Sequence, residues 1–534
     1  DRLKILTNFS GSAGFAIILK NENYLFVDGR YTIQAQIQSG KYFKIVEVPK
    51  FSTKFILKKT KKILSIGFDP QLFTNLGLKK KFGKNFSLLP IKENLVDKIY
   101  KKNLQKKISL FYNLDNKITG EKMNSKINKL IKMMKSRNID NIFISAPENV
   151  AWLLNIRGKD SPHSPIPNCK IILTKTKKIF FFSCPKKIKK IKKHYDYKKI
   201  IFCIYQDFSK IINKLKGNNF TIDSQTCSVS NEKLIRKMFN IKLNKDPCYA
   251  LKAIKNKSEI KGMIASHIED GLALTKFIYW IKNINKKKIT EVDAQKKLEK
   301  FRKLNKNYLF PSFDTIAGTG SNGAIVHYRA TQKKTAIIKN NDIFLCDSGG
   351  QYKYGTTDVT RTICFSAQKT PIKNVFTKVL KGHIAVAQTD LHRHKTGKKI
   401  DIRAREFLKN SGLDYAHGTG HGVGFFLNVH EGPQSISKFN SIKIKEGMVL
   451  SNEPGFYKKG QFGIRIENLV YVNKIKNKLF FENLTLVPIE RELINFNLLN
   501  ENEKNYLFKY HLKIYSTYSE FLNKNERKWL ANLI

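Results

Sequence analysis

Short apolar runs alternate with polar turns through the first half of the chain. "GFAIILK" (14–20) and "YLFVD" (24–28) read as a pair of strands, each rich in β-branched or aromatic residues and bounded by polar positions. The pattern then predicts a helix over 31–39, a strand over 42–48 ("YFKIVEV"), a helix near 52–60 and a strand running into "SIGFDP" (65–70). The same order returns further on. "CKIILTK" (169–175) and "KIFFFSC" (178–184) form a pair, followed by a basic helix, a strand in "KKIIFCIY" (198–205), a helix over 207–215 and a strand in "NFTIDS" (219–224). Both blocks close on a strand, an Asp and another helix. Two α/β domains built to one plan are the simplest account.

Between the blocks, residues 98–120 lose periodicity and gather charge, which places a linker there. A second boundary falls near 244–263. Helical spacing then runs from Ser258, the expected N-cap, to about Ile284. From 308 onward the chain turns to short strands with glycine turns, and 500–534 reads as helices with apolar residues three and four apart. The expected class is α/β (α+β). The expected division is a domain over 1–100, a linker over 101–116, a second domain over 117–246, a third over 247–490 and a helical extension over 491–534.

Composition changes the picture little. A chain of 534 residues that is 41% hydrophobic is globular and too long for one core. The formal charge of +57 invites a nucleic-acid reading, but the excess is almost all lysine and is spread along the whole length. Arginine is the residue that forks onto phosphate and guanine, so a solvated lysine-rich surface is expected and no nucleic-acid partner. Seven cysteines stand singly, with no C-x-x-C pair, which points to a reducing compartment. No apolar run approaches the ~20 residues of a membrane span, so no membrane partner is expected either.

The chemistry gathers in three places. In "NDIFLCDSGGQYKYGTTDVTRTICF" (341–365), a strand ends at Asp347 and another starts just beyond Asp358. Pairing those strands puts both carboxylates at one end of a hairpin. In "GMVLSNEPGFYKKGQFGIRIENLVYV" (447–472), Glu453 and Glu467 stand in the same relation, with Pro454, Gly455, Gly460 and Gly463 for the turns. Between the two lies "HGTGHGVGFFLNVHEGP" (417–433), which holds His417, His421 and His430. Gly418 and Gly420 make a poor helix, which argues against a helical zinc pair, so a loop is expected whose glycines allow positive φ and close backbone approach to a ligand. "GTGSNG" (318–323) fits a dinucleotide fingerprint by letter, but the adjoining "AIVHYRAT" reads as strand or turn. Four carboxylates packed together without cations would repel one another strongly. Carboxylates with one imidazole suit Mn²⁺, Co²⁺ or Zn²⁺, and two bridged ions would make a hydrolytic centre.

Taken in order, these stretches resemble the M24 metallopeptidases, and within them the long Xaa-Pro aminopeptidases. "FSGSAGFAII", "VDGRYTIQA" and "ENVAWLLNIRG" are similar to that family's leading domains. "SNGAIVHY", "GTTDVTRT", "KGHIAV", "HGTGHGVGFFLNVHEGP", "NEPGFY" and "GIRIEN" are similar to its catalytic domain, and "YHLKIYS" and "ERKWL" to the extension of the long form. Tyr354 and Phe456 depart from the family's usual residues at positions that are not ligands. The resemblance implies two creatinase-like α/β domains, the first without its opening strand or so, followed by a pita-bread catalytic domain. It implies five metal ligands, at Asp347, Asp358, His421, Glu453 and Glu467, holding two divalent ions, with Mn²⁺ expected first and Zn²⁺ or Co²⁺ as alternatives. A hydroxide bridging the ions would attack the carbonyl of an Xaa-Pro bond in a peptide substrate. Glu453 would shuttle the proton, and His430 with His327 would stabilise the oxyanion. His417 would face the substrate, and Arg465 would support a ligand carboxylate. For His267, His383 and His392 a plain structural role is expected. A cytoplasmic homodimer is the family expectation. The alternatives are a prolidase of the same fold and a binding module that has lost catalysis.

Overall fold

The computed structural model describes residues 2–48, 52–54, 56, 63–100, 108–285 and 288–534. The chain divides into two units, one of residues 1–161 and 165–251, the other of 162–164 and 252–534. Most of the helix expected near 52–60, and residues 101–107 of the expected linker, lie outside the described residues.

The two blocks of the first unit do share a plan. Phe15–Ile18 pairs antiparallel with Asn23–Asp28, which runs parallel to Lys44–Val48 across the helix Thr32–Ser39. Lys170–Thr174 pairs antiparallel with Ile179–Phe182, which runs parallel to Ile200–Cys203. Each block then adds a second parallel pair, Leu64–Phe68 with Phe86–Pro90 and Asn219–Ile222 with Asn240–Leu243. Parallel neighbours need a crossover, which is why the strands are separated by helical segments. In the later block, Asn141–Ile144 joins the pieces into one six-stranded sheet. That strand is buried along its length, as a central strand covered on both faces should be.

Two expectations need correction. The basic helix after 184 is a single turn, Lys189–Lys192. Lysines crowd both sides of Ile188 and Ile191, the two positions that are buried, so little apolar surface supports more turns. The long helix is capped by Asn256, not Ser258. The Asn256 side chain accepts from the Glu259 N–H, and the Glu259 carboxylate accepts from the Asn256 N–H, closing a capping box ahead of Lys257–Asn283. At the linker, Tyr112–Asn113 pairs with Ile156–Arg157, so the chain is already part of the first unit there.

The second unit is organised around two strand pairs. Ile343–Ser348 pairs antiparallel with Val359–Cys364, and Ile316–Thr319 adds to its other edge. Val449–Asn452 pairs antiparallel with Asn468–Ile475 inside a five-stranded sheet that also holds Gly420–Gly422, Glu431–Ile436 and Lys478–Asn483. Each pair carries a smaller ribbon at its end. Gly350–Tyr352 pairs with Gly355–Thr356 on the first, and Gly455–Lys458 with Phe462–Arg465 on the second. Helices Thr370–Ala387, Glu501–Tyr518 and Lys524–Ala531 share one apolar core that includes Phe376, Leu380, Leu507, Ile514 and Leu530. "GTGSNG" forms a strand end and a 3-10 turn over Gly320–Ala324, not the helix a dinucleotide site needs. All seven cysteines are free. Among the described residues, no helix is long and apolar enough to cross a membrane.

Candidate metal centre

The register of the two strand pairs decides where the carboxylates go. Asp347 faces Thr360 across the first pair, and Asp358 stands one residue before its second strand. In the other pair, Asn452 faces Asn468, so Glu453 and Glu467 are the next residues outward on each side. Both hairpins therefore deliver two carboxylates to their ends, as the sequence predicts. His421 comes from the middle of the short strand Gly420–Gly422, beside Val449–Asn452 in the same sheet.

These side chains meet. Single ligand atoms of Asp358, His421 and Glu467 all lie within 4.8 Å of one another. His421 Nε2 is 3.4 Å from Asp358 Oδ2 and 3.6 Å from Glu453 Oε1. His421 Nδ1 is 3.0 Å from the Gly422 carbonyl. A carbonyl only accepts, so Nδ1 carries the proton and the Nε2 lone pair faces the carboxylates, as a ligand nitrogen must.

Arg465 and Thr360 bind the carboxylates from behind. Arg465 donates to Asp347 Oδ2 at 2.5 Å, and its Nε donates to Thr360 Oγ1 at 3.1 Å. Thr360 Oγ1 donates onward to Glu467 Oε2 at 2.8 Å. Ser451 Oγ donates to Glu453 Oε1 at 3.2 Å. The opposite oxygens, Asp347 Oδ1 and Glu467 Oε1, are buried with no hydrogen-bond partner. Buried bare carboxylate oxygens are rare and costly.

The charges point the same way. Burial, then the Asp347 and Glu453 carboxylates, holds Asp358 well above the usual carboxylate range. Burial, then Asp358, Glu453 and Asp347, does the same to Glu467. Glu453 is also raised by burial, with Asp347 adding to the rise and His421 and Arg465 offsetting part of it. Divalent cations would remove that repulsion and fill the bare oxygens. The donor set of carboxylates and one imidazole fits hard to borderline metals.

The remaining histidines divide. The His430 ring lies 4.1 Å from that of His421. His417 lies 4.0 Å from Glu453 Oε2, and its two nitrogens contact the Gly418 carbonyl at 2.8 Å and the Tyr457 hydroxyl at 2.9 Å. Burial, then Arg465, keeps its imidazole neutral, and His327 is close enough to add to that effect. His267 and His383 are buried and bonded to the backbone carbonyls of Met263 and Asn452, as structural histidines would be.

The glycines of this loop serve differently from expectation. None of Gly418, Gly420, Gly422 and Gly424 has a positive φ. Gly420–Gly422 is a short strand, where a loop was expected, and at Gly420 and Gly422 the neighbouring backbone leaves no room for a side chain. A Cβ on Gly420 would come 2.0 Å from the Ser451 carbonyl oxygen, and one on Gly422 2.4 Å from that of Glu431. Sequence reasoning missed Thr360 and Tyr457, whose hydroxyl accepts from Arg465 at 2.5 Å. Strand alternation carried the signal for the first, since Asp358, Thr360 and Thr362 fall on one face.

Known proteins resemble this chain along nearly its whole length. The model of metallopeptidase family M24 matches residues 261–474, and that of the C-terminal region of M24 peptidases matches 477–533. Two creatinase/prolidase N-terminal domain models match 2–99 and 104–259. A "Probable Xaa-Pro aminopeptidase P" of Laccaria bicolor is 37% identical, over 99% of this chain and 87% of its own length. An uncharacterized peptidase of Schizosaccharomyces pombe is 36% identical, over 99% and 92%. Among solved structures, an X-prolyl aminopeptidase from Caenorhabditis elegans, a cytosolic enzyme with a di-nuclear active site, superposes with a TM-score of 0.93 at 31% identity, covering 100% of this chain and 91% of that one. The prolidase of Pyrococcus furiosus matches 66% of this chain and 98% of its own, at 26% identity and a TM-score of 0.52.

Proposed function

The chain belongs to metallopeptidase family M24, and from that premise we propose that it is a metal-dependent aminopeptidase releasing the N-terminal residue from peptides with proline in second place. The observation that carries this is the buried cluster of Asp358, His421 and Glu467, with bare oxygens on Asp347 and Glu467, in a chain similar along nearly its whole length to Xaa-Pro aminopeptidases. The creatinase-like domains and the M24 pita-bread domain are shared with that family.

We assign the ligand roles residue by residue. The two ions would be held by Asp358 and Glu467 in common, by Asp347 on one side and by His421 and Glu453 on the other. Bound there, two divalent ions supply Lewis acidity and lower the pKa of a water molecule to near neutrality. Arg465 and Thr360 fix the outer oxygens of Asp347 and Glu467, so the inner ones point to the centre. Glu453 is the most exposed of the four carboxylates, its side chain 19% accessible. It takes the proton of the attacking water and passes it to the leaving imino nitrogen of proline. His430 and His327 donate to the oxygen on which charge develops. His417 lines the substrate side and steadies Tyr457. The Xaa-Pro bond has no N–H, so recognition falls on the carbonyl and on a pocket for the ring.

Mn²⁺ is the proposed metal, with Zn²⁺ or Co²⁺ as alternatives. A cytoplasmic location and a homodimer are proposed from the likeness to the cytosolic Caenorhabditis elegans enzyme and its family. The five-part division at 100, 116, 246 and 490 is proposed as the domain plan. The test is a peptide assay with Mn²⁺, with and without chelator. An Xaa-Pro-Xaa tripeptide should lose its first residue, and chelator should abolish the release. Hydrolysis confined to Xaa-Pro dipeptides would make the protein a prolidase. Failure on both substrates would leave only a binding role.

A further inference from the structure

We propose that Glu431, gripped by Lys252 and Lys255, is a positioning residue for His430. The inference rests on the oxyanion role given to His430 above. His430 is exposed, and its ring lies against that of His421 at 4.1 Å. The backbone that carries it is clamped on both sides.

On one side, Glu431 opens the strand Glu431–Ile436. Its carboxylate is buried, with Lys252 Nζ 2.7 Å from Oε2 and Lys255 Nζ 2.6 Å from Oε1. Both lysine side chains are buried as well, at 2% and 1% accessible. Taking a carboxylate and two amino groups out of water is costly. A packed apolar trio would hold the fold at lower cost. What two opposed ammonium groups provide is a fixed orientation, since each carboxylate oxygen has its own donor. No side chain intervenes: a Cβ on Gly424 would come 3.0 Å from Glu431 Oε2.

On the other side, the turn before His430 closes through the Gly424 N–H to the Asn428 carbonyl at 3.0 Å. The Gln351 amide donates to the Leu427 carbonyl at 2.8 Å. Gln351 belongs to the ribbon strand Gly350–Tyr352, between Asp347 and Asp358 in the chain. Within the turn, Phe426 is buried at φ +47. A bulky residue in the left-handed region is strained and persists only where its surroundings hold it. The loop that ends at His430 is therefore held at both ends, and one clamp reaches the metal hairpin directly.

The test is a double-mutant cycle on a tripeptide substrate with Mn²⁺, with metal content measured for every variant. Glu431→Gln should lower kcat roughly 10- to 100-fold with KM and metal content unchanged, because a misplaced donor acts only on the transition state. In a His430→Ala background the same change should alter kcat less than about twofold. Lys255→Met, which leaves one lysine for one glutamate, should give the same pattern with a smaller loss, and it carries the cycle if Glu431→Gln does not fold. An equal loss with and without His430 would overturn the positioning role while leaving the role of His430 intact. Loss of metal in step with loss of kcat would overturn it too, because the triad would then hold the fold. A His430→Ala variant with parental kcat would overturn both this inference and the reading it rests on.

Discussion

Asp358 stands at the mouth of the first hairpin, its side chain 6% accessible and 3.4 Å from His421. Without metal its carboxyl is held well above the usual range by burial and by Asp347 and Glu453, so its charge does not stabilise the metal-free fold. Removing it costs the apo fold little. Asp358→Ala should lose bound metal and activity while its circular dichroism matches the parent. Full activity in that variant would refute the ligand assignment. Thr360 is a subtler case. Its hydroxyl accepts from Arg465 and donates to Glu467, so one atom orients two ligand-bearing groups. Thr360→Val keeps the shape and removes both bonds. Metal affinity, read by competition with a chelating dye, should fall roughly 10- to 100-fold. An unchanged affinity would show that Arg465 and the strand register suffice.

At the scale of elements, the distance between neighbouring strands matters more than any one side chain. Gly420–Gly422 lies so close to Val449–Asn452 that Gly420 has no room for a methyl group, with the Ser451 carbonyl 2.0 Å from where it would sit. Gly420→Ala must push the strands apart. Thermal unfolding of the metal-free protein should show a loss of about 1–3 kcal/mol, the usual cost of overpacking. Metal binding should weaken as well, because His421 is carried on the displaced strand. A variant with parental stability and affinity would mean that the sheet edge yields freely. The same closeness accounts for two glycines of "HGTGHGVG": Gly420 meets the Ser451 carbonyl and Gly422 that of Glu431, on the strands to either side.

Across the whole catalytic unit, three buried histidines make stability depend on pH. Burial brings His267 down to about 4, His383 to about 3 and His511 to about 4. The unfolded chain takes up these protons near pH 6.5, and the folded chain refuses them until much lower pH. Their contribution is therefore complete above 6.5 and is lost as the pH falls towards 4. For His511 the loss at pH 5 is on the order of 2 kcal/mol. Urea unfolding of His511→Gln should show a shallower fall in stability between pH 6.5 and 5 than the parent, whatever its absolute stability. Parallel slopes would refute the buried neutral state. The sequence by itself determined the antiparallel strand pair that opens each block of the first unit and the two carboxylate hairpins, because period-two alternation and turn residues are local; it did not show Phe86–Pro90, Asn141–Ile144 or Asn240–Leu243 as strands, and it expected a loop where His421 sits in one. It misplaced the N-cap by two residues, since Asn256 and Ser258 both suit a cap and only the reciprocal bond to Glu259 decides. It attributed the loop glycines to backbone freedom, because letters do not show how near the next strand lies. The partners of the carboxylates, Thr360, Ser451 and Tyr457, and the grip of two lysines on Glu431 belong to the tertiary structure alone. Lys255 and Glu431 are 176 residues apart. A contact between residues so distant in the chain leaves no periodic trace, and only the packed fold sets it.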